Sequence, residues 1–402
     1  MIDFSKLLGI EGYKIKRYTQ TRKYIYFEIY SRRKTGTCPK CKVRTKVVHT
    51  RKERKIKHTR LLGKVVILKV EVRRFLCRRC SITFTEEIKF LERRRERESK
   101  RFKKEVLFDL TRLSYRYTAL KYKISTSLIL RWVKEVGEKR KLDFGKEKER
   151  GEEFVLGIDE VAFSKRRFLT TIGNVTHKRL KAILNSSNKQ ELKKALKSIE
   201  EQVVKLIKGV VIDMNKYYLR AVKEVFGERI KVVIDKFHLI YYVNRKIEEE
   251  RLFIRSEEKV KIDKYLLLKN KDKLTEKEKE KLKNILKKHS RLRFLYVTKL
   301  RLQNMYKSKD RDEAEVVLTS LIKVLKNTSD GELITFGNTL SYFKPYILNY
   351  FQVRETNAFM EGINTTLKLI KRISFGFKNK ENFINKILLW VLFSTSLYHP
   401  NW

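Results

Sequence analysis

The sequence predicts a multidomain α/β protein with an N-terminal zinc ribbon, a helix-turn-helix segment and an α/β core that a helical insertion interrupts. Three observations carry this prediction. Four cysteines form two Cys-x-x-Cys pairs, residues 98–140 show helical periodicity, and the second half contains apolar strands that end at aspartates. With 42% apolar residues among 402, the chain can build packed cores and is not a wholly disordered protein.

The cysteine spacing predicts a structural zinc site in a domain that spans residues 1–90. Two Cys-x-x-Cys pairs separated by 35 residues can place four thiolates tetrahedrally around one zinc ion. The alternatives are two disulfides, four reduced thiols, or a histidine between the pairs in place of one cysteine. Disulfides require an oxidising compartment, which makes them the weaker alternative. The candidate ligands are Cys38, Cys41, Cys77 and Cys80, with His49 and His58 as the possible substitutes.

The charge of the chain points to a polyanionic partner. The formal net charge is +50, from 97 Lys and Arg against 47 Asp and Glu. Nucleic acid is the commonest polyanion that such an excess binds, because each cation that meets a phosphate releases a counterion. The basic residues also cluster, at 51–57 and 93–97, and we expect Arg51, Arg54 and Lys55 to contact DNA. The alternatives are a biased composition with solvated charges and a basic membrane-surface protein.

The sequence favours a cytoplasmic protein. It contains no run of about 18 apolar residues free of charge, so we expect no transmembrane helix. Its first residues lack the basic head and apolar stretch of a secretory signal. With DNA as its partner, the protein is expected to be associated with the nucleoid and to have no membrane partner.

Residues 91–145 are predicted to form a helix-turn-helix. An apolar helix is followed by a turn at 122–124 and by a second helix that Ser125 can cap. The buried face of the second helix would carry Ile129 and Trp132. In this geometry the front of the second helix can enter the major groove of double-stranded DNA. The alternative is an ordinary helical hairpin. The residues expected to face DNA are Thr126, Ser127 and Arg131.

Apolar strands that end at aspartates are typical of a catalytic α/β sheet. Asp159, Asp213 and Asp235 each end such a strand, and a helix precedes each of the last two strands. A strand–helix–strand unit with apolar strands implies parallel pairing, which brings the strand ends to one sheet edge. Carboxylates converging there favour Mg²⁺, and two such ions can support in-line phosphodiester displacement. The alternative is that these acids are caps or surface groups. Residues 189–208 are predicted to be one amphipathic helix.

A third carboxylate is predicted on a helix far downstream. At helical spacing, Glu361 begins a polar stripe whose opposite face is apolar. Such a stripe can hold a metal ion and a DNA backbone together. Glu355 and Glu381 are competing acids, and a plain surface helix is the alternative. The other members of the stripe are Asn364, Lys368, Lys371 and Arg372.

Further short motifs are distributed along nearly the whole chain, in addition to the two cysteine pairs. They are Arg73-Arg74-Phe75, Thr83-Phe84-Thr85-Glu86, Gly157-Ile158-Asp159-Glu160, Val211-Ile212-Asp213-Met214, Asp235-Lys236-Phe237-His238, Glu361-Gly362-Ile363-Asn364, Ile370-Lys371-Arg372 and Gly376-Phe377-Lys378-Asn379. In these motifs the chain resembles the insertion-sequence transposases of the ISL3 group, members of the DDE superfamily with an RNase H-like catalytic core. It departs from the family at Ser81, where the family often has glycine, and in a lysine-rich linker.

The resemblance implies a Mg²⁺- or Mn²⁺-dependent DNA transposase with the triad Asp159, Asp213 and Glu361. Asp235 and His238 would support the ligands or position substrate, although Asp235 remains an alternative ligand. The RNase H-like core would comprise 146–244 and 346–402, with a helical insertion at 245–345. The partners would be transposon ends and target DNA, bound by a homodimer or a higher oligomer. The rivals are a non-catalytic DNA-binding regulator and an RNase H-like recombination nuclease.

Overall fold

The computed structural model describes residues 4–138, 144–165, 167–185, 188–269 and 271–397. Its contacts divide the chain into two compact units, an N-terminal unit of Met1–Arg140 with Leu369–Trp402 and a central unit of Lys141–Lys368. The C-terminal helical segment therefore groups with the N-terminal unit, a coarser division than the five domains that the sequence predicts. Across the described ranges, every helix is too short or too polar to cross a membrane.

A five-stranded sheet forms the body of the N-terminal unit. Its strand order is β1-β2-β6-β5, and β7 pairs with β6. The pair β2 and β6 is parallel and the other pairs are antiparallel. Alternate residues of β2 and β6 are buried, as the period of a one-sided sheet requires. The elements, with a separate two-stranded sheet of β3 and β4, are α1 (Phe4–Leu7), β1 (Tyr13–Gln20), β2 (Tyr24–Ser31), β3 (Gly36–Thr37), β4 (Arg44–Thr45), β5 (Val48–Leu61), β6 (Lys64–Cys77) and β7 (Ile82–Thr85).

Three helices follow this sheet, namely α2 (Lys100–Leu110), α3 (Tyr115–Tyr122) and α4 (Thr126–Glu138). The turn between α3 and α4 begins at Lys123, whose φ of 54° ends α3 in the left-handed region. Ser125 then accepts a hydrogen bond from the backbone N–H of Leu128 through its hydroxyl, which is the predicted cap. Ile129 and Trp132 are buried, as predicted. A helix, a short turn and a capped second helix are thus present.

A second five-stranded sheet lies in the central unit, in the order β10-β9-β8-β11-β12. The pairs β8–β9 and β9–β10 are antiparallel, whereas β11 is parallel to both β8 and β12. The parallel strand–helix–strand unit predicted from the sequence is confirmed. The elements are α5 (Gly145–Arg150), β8 (Phe154–Ser164), β9 (Arg167–Asn174), β10 (Arg179–Leu184), α6 (Lys189–Lys197), α7 (Glu201–Val204), β11 (Ile207–Ile212), α8 (Lys216–Phe226) and β12 (Lys231–Ile234).

The single helix predicted over residues 189–208 is wrong. The structure has two helices there, because Ser198 ends α6 and α7 is only four residues long. From Ile207 the chain pairs with Phe154 of β8 and becomes a sheet strand. The apolar residues between α6 and β11 are buried in the same core as the sheet. Their spacing along the sequence therefore resembles that of one amphipathic helix, although the helix is interrupted.

Helices occupy the region where the sequence predicts a helical insertion. Their apolar residues share one core with the sheet, since Ile212 and Phe154 belong to the same buried cluster as Leu292 and Leu340. The helices are α9 (Lys236–Glu257), α10 (Lys264–Leu268), α11 (Glu276–Lys288), α12 (Ser290–Met305), α13 (Arg311–Lys326), α14 (Gly331–Leu348) and α15 (Tyr350–Val353). The last two helices of the chain are α16 (Ala358–Ile373) and α17 (Lys380–Leu397).

Candidate active site and zinc centre

The four cysteines form one cluster in the N-terminal unit. Their sulfur atoms all lie within 4.8 Å of one another, and the Sγ atoms of Cys41 and Cys77 are 3.6 Å apart. Zinc–sulfur bonds of about 2.3 Å in a tetrahedron separate the sulfurs by about 3.8 Å, so this spacing fits a zinc ion. None of the four forms a disulfide. The cluster supports a structural zinc site.

Local backbone geometry turns each cysteine pair towards this centre. The carbonyl oxygen of Cys38 accepts a hydrogen bond from Lys42 N at 3.0 Å, and Cys38 N donates to Val43 O at 2.9 Å. The residues that follow the two pairs, Lys42 and Ser81, have φ values of 61° and 50°, in the left-handed region that favours glycine. A hydrogen bond from the backbone of Val43 is the main cause that lowers the pKa of Cys41 to about 6, which favours the thiolate.

Neither histidine belongs to this cluster in the described part of the chain. His58 is instead buried, and its Nε2 lies 2.6 Å from the carbonyl oxygen of Leu8. Burial lowers the pKa of His58 to about 4, so the ring is neutral and donates from Nε2. His49 is exposed on β5. The alternative in which a histidine replaces a cysteine is therefore wrong.

In the central unit, one aspartate lies on β8 and a second directly follows the neighbouring parallel strand β11. β11 pairs with β8 so that Val211 is opposite Gly157. Asp213 and Asp159 each follow this pair by two residues, which places both carboxylates beside each other. The parallel pairing predicted from the two apolar runs thus brings together two acids that are far apart in sequence.

His238, in the first turn of α9, joins the two aspartates. One ligand atom from each of the three residues lies within 4.8 Å of the others, and His238 Nε2 is 2.8 Å from Asp213 Oδ1. Burial and the neighbouring charge of Asp213 raise the pKa of Asp159 to about 7. Burial alone would lower the pKa of His238, but the contact with Asp213 outweighs it and the pKa rises to about 9. The acids repel each other unless a cation lies near them.

Asn364 of α16 reaches the same aspartate. Its Nδ2 donates a hydrogen bond of 2.7 Å to Asp159 Oδ2, and Thr171 Oγ1 lies 3.4 Å from Asn364 Oδ1. α16 can approach β8 this closely because Gly157 and Gly173 are opposite each other in the sheet and Met360 packs over both. The helix is thereby positioned beside the acids.

Asp235 takes part in a different set of contacts. It is buried, and its Oδ1 accepts a hydrogen bond of 3.2 Å from the backbone N–H of Asn357, just before α16. Asn357 Nδ2 in turn donates to the carbonyl oxygen of Ile158 at 3.0 Å. Burial raises the pKa of Asp235 to about 6. Asp235 thus links the end of β12 to the start of α16, outside the group that Asp159, Asp213 and His238 form.

Glu361 lies in the first turn of α16, three residues before Asn364, and its side chain is exposed. The close group of potential metal ligands in the described residues does not include it. Glu355, the competing acid, accepts a hydrogen bond of 3.4 Å from Thr176. Glu381 lies in the N-terminal unit, at the start of α17, and Lys371 and Arg372 end α16 there. Lys368 is exposed on α16.

The residues at the acid cluster fit a divalent cation. Oδ1 of Asp213 is buried and has no hydrogen-bond donor among the described residues apart from its ion pair with His238. Carboxylate oxygens are the ligands that Mg²⁺ and Mn²⁺ prefer, so Asp159 and Asp213 have the chemistry to hold either ion.

The sequence analysis assigned no role in this site to three groups that shape it, namely Asn357, Thr171 and the facing pair Gly157 and Gly173. The asparagine immediately before a helix was the one available signal, because this residue type commonly occupies helix starts. The others depend on contacts between distant segments, which no local pattern reports.

The residues expected to bind DNA lie in the N-terminal unit except Lys368. Thr126, Ser127 and Arg131 are exposed on α4. On β5, Arg51 and Lys55 are exposed, and Arg51 lies 3.7 Å from Glu71. The guanidinium of Arg54 instead donates hydrogen bonds to the backbone carbonyl oxygens of Arg94 and Glu96.

Comparison with known proteins places the chain in a family. Residues 156–387 match the ISL3 family described as "Transposase", and residues 34–80 match the "zinc-finger of transposase IS204/IS1001/IS1096/IS1165". The transposase for insertion sequence element IS1001 of Bordetella parapertussis is 22% identical over 371 residues, which cover 88% of each chain. The family match spans more than half of this sequence, from β8 to α17, and includes the acid cluster. The chain belongs to the ISL3 transposase family.

Proposed function

We propose that this chain is a DDE-type DNA transposase, which binds the terminal inverted repeats of an insertion sequence and performs Mg²⁺-dependent strand cleavage and strand transfer. One observation carries the proposal. Asp159 of β8 lies beside Asp213, the residue that follows the parallel strand β11, and Asn364 of α16 holds Asp159 by a hydrogen bond of 2.7 Å. Paired carboxylates supported by an amide are suited to hold divalent metal. The strand order of the central sheet supports an RNase H-like core.

The proposed ligands of the metal are Asp159, Asp213 and Glu361. Glu361 and Asn364 lie three residues apart, and residues at this spacing are neighbours on one face of a helix. Because Asn364 contacts Asp159, Glu361 is one helical turn from the acids and has a long side chain with which to reach them. When bound, Mg²⁺ or Mn²⁺ supplies an activated attacking oxygen and stabilises the leaving oxygen of the phosphodiester.

The side chains around the acids have supporting roles. Asn364 fixes the orientation of the Asp159 carboxylate, and His238 balances the charge of Asp213. In cleavage, water attacks phosphorus and the 3′ oxygen leaves. In transfer, the freed 3′-hydroxyl attacks a phosphodiester of target DNA, and the 3′ oxygen of the target strand leaves as the new phosphodiester bond forms. Neither step requires a covalent bond to the protein, which agrees with a site that offers acids and amides rather than a nucleophilic serine or cysteine.

DNA recognition is assigned to the N-terminal unit. The zinc ribbon and the second helix of the helix-turn-helix would read the end sequence, while Lys and Arg contact phosphates. The similar protein from Bordetella parapertussis is named as the transposase of an insertion sequence, which makes the ends of such an element the expected ligand here. Because two ends are joined to one target, we expect a homodimer or a higher oligomer, located in the cytoplasm at the nucleoid.

A cleavage assay tests the proposal. Duplexes that carry the sequences flanking the gene are incubated with the zinc-loaded full chain and Mg²⁺. Wild-type protein is expected to nick at the element end and to join the end to a second duplex. Asp159→Ala, Asp213→Ala and Glu361→Ala are expected to bind the same duplex without nicking it, while the control Glu381→Gln, at the competing acid, nicks normally.

The rival functions give different results in this assay. A non-catalytic regulator would bind the ends and leave them uncut, and a recombination nuclease would cut unrelated sequences without joining strands. Normal nicking by the Asp213→Ala variant would also contradict the assignment of this acid.

A further inference from the structure

A charged groove with a volume of about 600 Å³ lies in the N-terminal unit, between α4 and the segment 92–100. One side carries Ser127, Arg131 and Glu135 of α4, spaced four residues apart and therefore on one face of the helix. This face lies opposite the buried Ile129 and Val133. The other side is the arginine-rich segment that precedes α2, which the sequence marked as a basic cluster.

The backbone of this segment is held in place by β5. Arg54 donates hydrogen bonds of 2.7 Å and 2.6 Å to the carbonyl oxygens of Arg94 and Glu96. Lys57 N donates to Arg97 O at 2.8 Å, and Lys57 O accepts from Ser99 N at 2.9 Å. The segment is therefore a fixed ridge beside α4, and the guanidinium of Arg54 is used to support it.

The cationic side chains that line the groove differ in whether they form ion pairs within the protein. Lys103 forms ion pairs with Glu92 and Glu135, and Arg93 lies 3.5 Å from Glu135. By contrast, Arg95, Arg97 and Arg131 form no ion pair within the described ranges, and all three are exposed. These three arginines place positive charge on both sides of the groove. The charge of Arg131 also acts to lower the pKa values of Glu98 and Glu135, which line the same groove.

We propose that this groove binds the phosphate backbone of the double-stranded DNA whose major groove α4 enters. The inference rests on the proposed DNA-binding function and adds the place where a strand is held. Arg95 and Arg97 would contact successive phosphates on one flank, while Arg131 and Ser127 approach the groove edge from α4. Guanidinium groups suit this role because they form bidentate hydrogen bonds with phosphate oxygens.

The geometry favours duplex DNA over other polyanions. A helix of 13 residues such as α4 is about 20 Å long and fits the major groove of B-DNA, where phosphates border it on both sides. A cationic ridge beside the exposed face of such a helix is suited to contact one of these borders. Among the described residues that line the groove, the aromatic side chain is that of Trp132, which is buried, whereas single-stranded DNA would require exposed rings for base stacking.

The test measures binding of the zinc-loaded full chain to a fluorescent duplex that carries one element end, at several KCl concentrations. Each phosphate contact that is lost should reduce the slope of log affinity against log salt by about 0.9, and should weaken binding about fivefold at 0.15 M salt. The double variant Arg95→Gln/Arg97→Gln is therefore expected to bind about thirtyfold more weakly, with a slope smaller by about 1.8.

Arg22→Gln serves as the matched control. Arg22 is an exposed arginine in the same unit, in the turn between β1 and β2, and no ion pair of it is found in the described residues. Arg22→Gln removes one positive charge, as each substitution of the double variant does, but it should leave the slope of log affinity against log salt unchanged. Zinc content and the thermal transition of every variant are measured to confirm that the unit is folded.

Two outcomes would overturn the proposal. In the first, the double variant keeps the wild-type slope while folded. In the second, the variant loses affinity for single-stranded but not for duplex DNA. If instead wild-type protein neither binds nor cuts element ends, the proposed function itself fails, so the two failures are distinguishable.

Discussion

Asn364 Nδ2 donates a hydrogen bond of 2.7 Å to Asp159 Oδ2, although 205 residues separate the two in sequence. The bond fixes one carboxylate oxygen and places the first turn of α16 beside the acids. We expect Asn364→Ala to slow strand cleavage about 10- to 100-fold, the usual cost of removing a group that orients a metal ligand. DNA affinity should not change.

The control for this prediction is Thr365→Ala. Thr365 is exposed, and its hydroxyl donates a hydrogen bond to the carbonyl oxygen of Glu361 one turn earlier in the same helix. Cleavage rates are measured in single turnover with both variants. Equal rates for Asn364→Ala and wild type would show that the hydrogen bond has no part in catalysis.

Gly157 is predicted to be essential for the position of α16. A Cβ at this residue would lie 2.6 Å from Asn357 Oδ1 and 2.7 Å from Met360 Cγ, both closer than van der Waals contact allows. Gly157→Ala should therefore lower the free energy of unfolding by about 1–3 kcal/mol and reduce cleavage with it.

Gly362, which lies on α16 itself, is predicted to have the opposite effect on stability when it is replaced by alanine. A Cβ there meets open space, and alanine favours the helix interior over glycine by about 1 kcal/mol. This variant should gain stability in urea denaturation. If Gly362→Ala lost stability, or if Gly157→Ala kept the stability of the wild type, the close packing of α16 against Gly157 would be contradicted.

Ser81 offers a stabilising substitution at the zinc centre. It follows Cys80 with a φ of 50°, a conformation that costs most residues about 1 kcal/mol relative to glycine. Ser81→Gly is expected to raise the free energy of unfolding of the zinc-loaded protein by about 0.5–1 kcal/mol. Arg79→Gly, in the same turn but outside this positive-φ region, should not gain stability. The comparison is made by denaturation with zinc held in excess, and a gain by Arg79→Gly equal to that of Ser81→Gly would exclude the backbone explanation.

His58 makes stability depend on pH. Burial lowers its pKa from an ordinary value near 6.5 to about 4, so below pH 6.5 the unfolded chain binds a proton that the folded chain does not. Stability is therefore unaffected above pH 6.5 and falls as pH decreases towards 4, by up to about 1.4 kcal/mol per pH unit.

His58→Gln isolates this effect, since glutamine can donate to Leu8 O but does not titrate. Both proteins share the zinc centre, so the acid loss of zinc cancels in the comparison. Urea denaturation at pH 7 and pH 5.5 should show a larger loss for wild type than for the variant. An equal loss in both would show that His58 does not titrate in this way.

Local patterns were sufficient to predict part of this molecule. The spacing of the Cys38 and Cys77 pairs defines their cluster, because two residues of separation allow both sulfurs to face one point. The apolar runs before Asp159 and Asp213 predict parallel strands, and hence that these acids lie together. In each case the information lies within a short stretch of chain.

The rest could not be predicted because it depends on contacts between distant segments. The hydrogen bonds of Asn357 and Thr171 exist only because α16 packs into the gap left by Gly157 and Gly173. The strand that begins at Ile207, inside the helix predicted over residues 189–208, has a similar cause, since its pairing is with the distant Phe154 of β8.

The central claim is that Asp159 and Asp213, with Glu361 of α16, hold divalent metal for DNA cleavage. Anomalous scattering from crystals of the zinc-loaded chain with an element-end duplex and Mn²⁺ measures this directly. We predict a manganese peak between the carboxylates of Asp159 and Asp213, with an oxygen of Glu361 at a ligand distance of about 2.2 Å. A peak bound by Asp235 in place of Asp213, or no peak at this sheet edge, would contradict the claim.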